Sequence, residues 1–143
     1  MAASILADTA AILAILDRDD GWHRRCVDAL KRIPLPFLTS EAVLTELFHL
    51  TGNSSYEVEV AWKFVRSGYL TVAPITGADL ASLHALMSRY ADRPMDFADA
   101  SLVHLAQRES LSTVFTVDHD DFETYRIHGR RRFRVIPPRR QPQ

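Results

Sequence analysis

The sequence predicts one α/β domain with a mostly parallel central sheet of about five strands. Short apolar or β-branched runs, typical of buried strands, alternate along the chain with longer runs that favour helices. No two strand candidates are joined by the short polar turn of a β-hairpin, so neighbouring strands are expected to run in the same direction. Parallel sheets are covered on both faces, so helices are expected on each side. The length of 143 residues and the apolar content of 47% suit one packed core.

Local composition and the bounding residues justify each element. Strands are predicted where short apolar runs end at an acid or a proline, as the third one does at Pro74. Helices begin at capping residues such as Ser40 and end at glycines such as Gly52. The predicted strands cover 4–7, 36–39, 69–73, 113–117 and 133–136. The predicted helices cover 10–16, 21–32, 41–51, 56–66, a segment that begins at Thr76 or Asp79 and ends at about Arg89, and 96–108. A short turn is expected around Asp121 and Phe122.

Charge is divided unevenly along the chain, although the formal net charge is only −1. No Asp or Glu follows Glu123, whereas many arginines do. An acidic body with a basic terminus suggests an anionic partner, and a solvated, frayed terminus would have the same composition. The sequence is accordingly divided into a single domain at 1–138 and a basic C-terminal tail at 139–143. The arginines after Glu123 are Arg126, Arg130, Arg131, Arg132, Arg134, Arg139 and Arg140.

The single cysteine, Cys26, excludes an intramolecular disulfide and disfavours a cysteine-based zinc site. It shares a helical face with Trp22 and Leu30, so we expect a small core residue in a reducing, cytoplasmic setting. The first apolar run has no basic region before it and is interrupted by Asp8, which argues against a signal peptide. No apolar run approaches the ~20 residues of a membrane span, so no membrane partner is expected.

Acidic residues recur beside the predicted elements. Asp8 follows the first strand, and Asp118 stands where the fourth strand should end. Ligands bind beyond the carboxyl ends of the strands in open α/β sheets, and these two acids are expected there. Asp96 and Asp99 open the helix before the fourth strand. Glu46 lies at the border of the apolar face of its helix, where it could face a cleft or only cover the core with its stem.

Helix capping is the alternative interpretation of Asp8, Asp96 and Asp99. Aspartate is a favoured N-cap, and an acid three residues later resembles a capping box. Counting along the elements places the start of the helix at Asp96 nearer the opposite edge of the sheet from Asp8 and Asp118. The residues alone therefore leave open whether Asp96 and Asp99 share a site with the other acids.

The order and setting of these acids resemble the PIN-domain family, and within it the VapC-type toxins of bacterial toxin–antitoxin pairs. The resemblance is carried by Asp8 and the threonine after it, Glu46 in SEAVLTELFHL, Asp96 and Asp99 in DFADASLVHLA, and Asp118 in FTVDHDDF. It implies a three-layer α/β/α fold with an acidic pocket formed by Asp8, Glu46, Asp99 and Asp118, with Asp96 beside it. It also implies RNA cleavage with Mg²⁺ or Mn²⁺, a homodimer, and silencing by an antitoxin protein that occupies the pocket.

The expected chemistry is the metal-dependent hydrolysis of RNA phosphodiester bonds. Carboxylates are hard oxygen ligands that suit Mg²⁺ or Mn²⁺, and clustered acids repel one another unless cations offset their charge. Asp8 and Asp99 are predicted to bind the metal directly, and Asp118 to complete the shell. Glu46 is predicted to orient the attacking water or to reach the metal through water. The residues predicted to contact RNA are Thr9, Arg130, Arg131 and Arg132.

Two other functions are alternatives to an RNA-cleaving toxin. A non-catalytic module with a degenerate site would bind RNA or protein without cleavage. A response-regulator receiver domain is also acidic and Mg²⁺-dependent, but it needs paired acids after its first strand and a lysine near the end of its last. Asp8 stands alone after the first strand, and the two lysines, Lys31 and Lys63, both lie on predicted helices. The histidines lack metal-ligand spacing, and only His119, beside Asp118, is a candidate for contact with a substrate.

Overall fold

The computed structural model describes residues 2–52 and 54–140. The strands are Ile5–Ala7 (β1), Phe37–Ser40 (β2), Leu70–Ala73 (β3), Thr113–Phe115 (β4), Arg126–Ile127 (β5), Arg131–Arg132 (β6) and Arg134–Ile136 (β7). The helices are Thr9–Leu16 (α1), His23–Leu30 (α2), Glu41–Leu50 (α3), Ser55–Val65 (α4), Leu80–Arg89 (α5), Phe97–Glu109 (α6) and His119–Thr124 (α7). A 3-10 turn at Gly77–Asp79 precedes α5. Five strands form one sheet in the order β3-β2-β1-β4-β7, and every pairing in it is parallel.

The central strand, β1, is buried on both of its faces. Leu6 is in register with Leu38 of β2 and with Val114 of β4. Successive strand residues point to opposite faces of a sheet, and Ile5, Leu6 and Ala7 are all buried, so helices cover both faces. This confirms the predicted three-layer α/β/α architecture, in which the carboxyl ends of all the parallel strands meet at one edge.

Helix α6 passes through the core and is buried around most of its circumference. Leu102 and Val103, which point in different directions on the helix, have no exposed surface. The Ser101 hydroxyl lies 2.7 Å from the Ser40 hydroxyl, which ties the helix to the end of β2. The helix ends at Ser110, whose φ of 57° turns the chain directly into β4. Both ends of α6 are therefore fixed against the central sheet.

The chain contains a small β-hairpin that the sequence analysis did not predict. Strands β5 and β6 pair in antiparallel fashion, and His128 and Gly129 in the turn have positive φ angles of 53° and 73°. The expectation of no hairpin was wrong because each strand is too short to show an alternating pattern. The turn also has a histidine where asparagine or aspartate would give a recognisable signal.

The segment after β4 differs in one further detail from its prediction. The turn expected around Asp121 and Phe122 is the short helix α7, with Asp118 at its N-cap. The predicted strand 113–117 ends at Phe115, and the main-chain N–H of Thr116 still donates to the Ile136 carbonyl at 3.0 Å. The acid predicted at the end of this strand therefore lies at the start of a helix.

The expectations from the cysteine and from hydropathy can also be compared with the structure. Cys26 is a free thiol with no exposed surface in the core, as predicted. Burial raises the pKa of this thiol to about 12, so it stays protonated at neutral pH and does not form a reactive thiolate. Across the described parts of the chain, no helix combines the length and apolar character of a bilayer span.

We expect Leu102→Ala in α6 to lower the free energy of unfolding by about 2–5 kcal/mol, because it leaves a cavity beside a side chain with no exposed surface. Leu80→Ala in α5 is the matched control, since the same change is made at a residue that is 54% exposed. The control should change stability by about 0.5 kcal/mol or less. Urea unfolding of both variants measures the difference, and equal losses would contradict the central position of α6.

Candidate active site

Asp8 lies directly after β1, and only 2% of its surface is exposed. Its main-chain N–H donates to the Phe115 carbonyl at 3.0 Å, which extends the pairing of β1 with β4. Its Oδ1 accepts a hydrogen bond from the Thr9 N–H at 2.8 Å, and its Oδ2 accepts one from the Thr116 hydroxyl at 2.7 Å. Burial, and then the nearby carboxylate of Asp99, raises the pKa of Asp8 well above its usual range. Asp8 therefore caps α1 and also places a buried acid at the carboxyl edge of the sheet.

Thr116 connects Asp8 to the acid at the end of the neighbouring strand. The same hydroxyl that donates to Asp8 accepts a hydrogen bond from the Asp118 N–H at 3.0 Å. Asp118 is exposed, yet the surrounding protein limits the hydration of its carboxylate and raises its pKa, and the neighbouring Asp121 raises it further. Thr116 was not predicted as a site residue. Its only sequence signal is its position two residues before an acid at a strand end.

The start of α6 brings Asp96 and Asp99 close to Asp8. Asp96 is the N-cap, and its Oδ1 accepts a hydrogen bond from the Asp99 N–H at 2.7 Å, as the capping alternative predicts. Asp99 is half-buried, and its Oδ2 accepts a hydrogen bond from the Tyr125 hydroxyl at 2.9 Å. Burial, and then the Asp96 carboxylate, raises the pKa of Asp99 to about 7. A residue that only stabilised a helix terminus would be favoured as an anion, so Asp99 belongs to a cluster of acids.

Counting along the elements placed the start of α6 nearer the opposite edge of the sheet, and that count was wrong. The helix passes into β4 through a short turn at Ser110, so the helix and the strand run in opposite directions. A helix that leads directly into a parallel strand begins at the carboxyl edge of that strand. The length of α6, about 20 Å, carries its first turn to that edge. For this reason Asp96 and Asp99 meet Asp8 and Asp118.

Glu46 approaches the same acids from α3. It is half-buried, and its pKa is raised by burial and by the nearby Asp96 and Asp118 carboxylates, while the Thr9 hydroxyl opposes the rise. Thr9 itself is buried, and its hydroxyl donates to the Val43 carbonyl at 3.3 Å. The contact of Thr9 with RNA stays a prediction. Glu46 adds an acid from a separate helix to the cluster.

The clustered acids form a set of donors suited to a hard divalent cation. The raised pKa values of Asp8, Glu46, Asp99 and Asp118 reflect burial and mutual repulsion, both of which a bound cation would offset. Within residues 2–52 and 54–140, no three His, Cys, Asp or Glu side chains already stand at the spacing of a metal site. The donors are all carboxylate oxygens, which fits Mg²⁺ or Mn²⁺ better than zinc. The residues in the cluster are Asp8, Glu46, Asp96, Asp99 and Asp118.

Two contacts beside the acids join segments that are far apart in the sequence. Tyr125, which follows α7, reaches Asp99 through the hydrogen bond described above. Arg93, which precedes α6, pairs with Asp121 of α7, and 2.8 Å separates its Nη1 from Oδ1. Both contacts hold α7 against the start of α6. No local sequence pattern signals either of them.

An open groove of about 790 Å³ adjoins the acid cluster. Glu46 and Asp96 line it together with the apolar side chains of Ile75, Leu80 and Phe97. The other three acids, Asp8, Asp99 and Asp118, lie outside its lining. A ligand in the groove would therefore reach the acids from the side of Glu46 and Asp96.

His119, the histidine considered for substrate contact, has a structural role instead. It is buried, and its Nδ1 and Nε2 lie 3.0 and 2.7 Å from the carbonyl oxygens of Val117 and Pro137. Its ring packs against Trp22, with 5.1 Å between the ring centroids. His119 therefore joins the start of α7 to the segment after β7.

The structure does not bring the predicted RNA-binding arginines to the acid cluster. Arg131 and Arg132 form β6, and Arg130 lies in the hairpin turn. The hairpin packs against the second half of α6, where the Gln107 Oε1 accepts a hydrogen bond from the His128 N–H at 3.0 Å. Gln107 lies about two helical turns, or about 12 Å, beyond Asp99 along the axis of α6.

The predicted basic tail begins with two arginines that contact the domain. Arg139 forms ion pairs with Asp120 and Glu123 of α7. The Arg140 guanidinium carbon lies 4.7 Å from the centroid of the Trp22 ring. Residues 141–143 of the predicted tail lie outside the described residues. The first part of the tail therefore packs against α7 and the start of α2.

The PIN domain family matches this sequence over residues 5–127, and the chain belongs to this family. Ribonuclease VapC26 of Mycobacterium tuberculosis is 27% identical over 135 residues, an alignment that spans 93% of this chain and 100% of that protein. Together with the fold, these matches confirm the resemblance that the order of the acids indicated.

Solved structures share the fold at low sequence identity. VapC20 of Mycobacterium tuberculosis, a sarcin-ricin loop cleaving toxin, has a TM-score of 0.73 and 20% identity, covering 82% of this chain and 92% of VapC20. VapBC2 of Rickettsia felis, bound to a DNA fragment from its promoter, has a TM-score of 0.64 and 13% identity, covering 92% of this chain and 97% of the matched chain. At these identities the likeness concerns the fold alone.

We expect Asp99→Asn to make the metal-free protein as stable as wild type or more stable at pH 8. The folded wild type holds the Asp99 proton with a pKa of about 7, so its stability falls as the pH rises from about 4 towards 7. Asparagine carries no charge and escapes this loss. Added Mg²⁺ or Mn²⁺ should stabilise the variant less than wild type, because a ligand stabilises only the protein that binds it.

Melting curves at pH 5 and pH 8, with metal and with EDTA, measure these effects. Asp92→Asn, a change at an exposed acid in the turn before α6, is the control and should behave as wild type. An Asp99→Asn protein that is less stable than wild type in EDTA at pH 8, and gains as much from metal, would mean that Asp99 is only a helix-terminal residue.

We expect Thr116→Val to lower the free energy of unfolding by about 1–3 kcal/mol, because the buried Asp8 carboxyl loses a hydrogen-bond donor. Thr116→Ser keeps the hydroxyl and is the matched control, with a smaller loss from the missing methyl group. Urea unfolding of the two variants gives the comparison. A serine variant as unstable as the valine variant would show that the methyl group, and not the hydroxyl, matters at this position.

Proposed function

We propose that this chain is a metal-dependent endoribonuclease that hydrolyses RNA phosphodiester bonds, and that it acts as the toxin of a type II toxin–antitoxin pair. The proposal rests on the acid cluster, to which Asp8, Glu46, Asp99 and Asp118 come from separate elements of the fold. Acids that repel one another lower the stability of a fold, so their convergence is best explained by a cation that they bind. The match to a ribonuclease over that protein's whole length supports RNA as the substrate.

The acids divide into metal ligands and a residue that acts on water. Asp8 and Asp99 would hold the metal directly, and Asp118 and Asp96 would complete the shell. A bound Mg²⁺ or Mn²⁺ supplies a Lewis acid that offsets phosphate charge and lowers the pKa of a bound water. Glu46 lines the groove and has a raised pKa, so it suits a general base that orients the attacking water and accepts its proton.

Two uncharged donors keep the predicted ligands in place. The Thr116 hydroxyl holds Asp8 at 2.7 Å, and the Tyr125 hydroxyl holds Asp99 at 2.9 Å. Hydrogen bonds of this kind fix the orientation of a ligating carboxylate and leave its charge available to the metal. Thr116 and Tyr125 are therefore positioning residues for the metal site.

We also propose an antitoxin partner, a homodimer and a site of action in the cytoplasm, where RNA is found. The groove beside the cluster supports a protein partner, because it combines apolar side chains such as Leu80 and Phe97 with the acids Glu46 and Asp96. A segment with alternating apolar and basic side chains would match both features. Occupation of this groove would block access to the acids, which is the expected means of silencing.

We expect wild-type protein to cleave RNA in Mg²⁺ or Mn²⁺ and to lose all cleavage in excess EDTA. Asp8→Asn should lower the cleavage rate by about 100-fold or more, because it removes the charge of a ligand that has no replacement. Asp28→Asn, at an exposed acid on α2, is the control and should cleave as wild type. Undiminished cleavage in EDTA would contradict the metal mechanism. A folded wild type that binds RNA without cleaving it would favour the non-catalytic alternative.

A further inference from the structure

The β5–β6 hairpin and the start of β7 carry exposed cations without acidic partners. In residues 2–52 and 54–140, ion pairs join Arg93, Arg108 and Arg139 to acids. None of the ion pairs in those ranges involves an arginine between 130 and 134. The arginines between 130 and 134, namely Arg130, Arg131, Arg132 and Arg134, are all exposed. With two neighbours, this group is named the basic surface and consists of Arg89, His128, Arg130, Arg131, Arg132 and Arg134. Arg131 and Arg132 are successive residues of β6 and point to opposite faces of the hairpin, so the cations surround the hairpin rather than cover one face of it.

Arg89, the last residue of α5, belongs to the basic surface because its guanidinium lies close to the glycine in the hairpin turn. Gly129 has a φ of 73°, and a Cβ at this position would lie 2.7 Å from the Arg89 Nη1. Only a residue without a side chain lets the guanidinium approach the turn so closely. Arg89 and His128 line a recess of about 220 Å³ at this point. The turn therefore brings a cation from a separate helix beside those of the hairpin.

A second recess, of about 190 Å³, is also lined by His128. Arg130 and Arg131 line it together with the apolar side chains of Leu111 and Ile127. Guanidinium groups bind phosphate oxygens through several N–H donors, and apolar surface can cover a base or a sugar. The two recesses share His128, so neighbouring parts of one extended ligand can occupy both.

The basic surface lies at the opposite edge of the sheet from the acid cluster. Arg134 pairs with Thr113, the first residue of β4, whereas Asp118 follows the other end of that strand. Along α6, the hairpin contact at Gln107 is about 12 Å beyond Asp99. At about 3.4 Å for each stacked nucleotide, this distance corresponds to about four nucleotides. A phosphate on the basic surface is therefore not the phosphate that the acids would cleave.

We propose that the basic surface binds the phosphate backbone of RNA several nucleotides away from the bond that is cleaved. The inference rests on the proposed function, because RNA is the polyanion that a ribonuclease must hold. A protein with a formal net charge of −1 has no general attraction for RNA, so a local group of cations has to supply it. With a cation bound at the acids, RNA molecules that span both positions would bind more tightly than short ones.

Fluorescence anisotropy in EDTA tests the proposal, because it measures RNA binding without cleavage. The probes are labelled single-stranded RNAs of about 30 and about 3 nucleotides, of which only the longer can span both positions. We expect wild type to bind the longer RNA more tightly even without metal, because the longer RNA can contact more of the cations of the basic surface. Neutralising the hairpin in one variant, R130Q/R131Q/R132Q, should weaken that binding by about tenfold or more. It should also flatten the dependence of log K on log salt by about 2, at about 0.7 for each lost contact.

A charge-matched control separates the basic surface from general attraction. The variant R18Q/K31Q/R66Q removes three exposed cations from other parts of the chain and should bind RNA as wild type does. Melting curves of both variants, compared with wild type, confirm that each is folded. Equal weakening in the hairpin variant and the control would overturn the proposal.

The remaining outcomes distinguish this inference from the proposed function. Unchanged affinity and salt dependence in the folded hairpin variant would overturn the proposal, whether or not the protein cleaves RNA. Tighter binding of a DNA strand of the same length and sequence would assign the surface to DNA and overturn RNA as its ligand. Failure of the proposed function would appear differently, as RNA binding through the hairpin without cleavage in Mg²⁺ or Mn²⁺.

Discussion

Repulsion between carboxylates at one edge of the sheet is the constraint on which the rest of the structure depends. Asp8 follows the most enclosed strand and cannot withdraw into solvent, and Asp99 belongs to a helix that is packed on most sides. The raised pKa values of both groups show that the fold holds them together at a cost in stability. The apolar core around β1 and α6 and the hydrogen bonds from Thr116 and Tyr125 oppose that repulsion. A divalent cation would remove its cause.

Helix α6 organises both kinds of charge in the molecule. Its first turn carries Asp96 and Asp99, and its second half supports the hairpin through Gln107. The acids and the arginines are thus separated by a rigid, buried element whose length sets the distance between them. The acids would then cleave one part of an RNA, while the arginines bind the phosphate backbone of another part of the same RNA. Changes to the hairpin can alter binding without disturbing the acids.

Much of the fold could be predicted because its signals are local. The strands are short apolar runs, and the helices begin at capping residues such as Ser40. The acids were named from their order in the chain, and the family resemblance grouped Asp99 with the others. Counting along the elements pointed to the wrong edge for Asp99, because the direction of α6 depends on how it enters β4. The contact of Tyr125 with Asp99 escaped prediction, since it joins residues whose neighbours show no shared pattern. The hairpin was missed because its strands are two residues long.

The Thr116 hydroxyl has a single hydrogen, which it donates to the Asp8 carboxylate. Its oxygen accepts from the Asp118 N–H, so the three groups form a polarised series in which every donor points the same way. Hydrogen bonds in series strengthen one another. A shift in the first turn of α7 would therefore weaken the bond to Asp8 even if Asp8 itself did not move. The orientation of the Asp8 carboxylate consequently depends on the position of the Asp118 main chain, although the two residues lie on different elements.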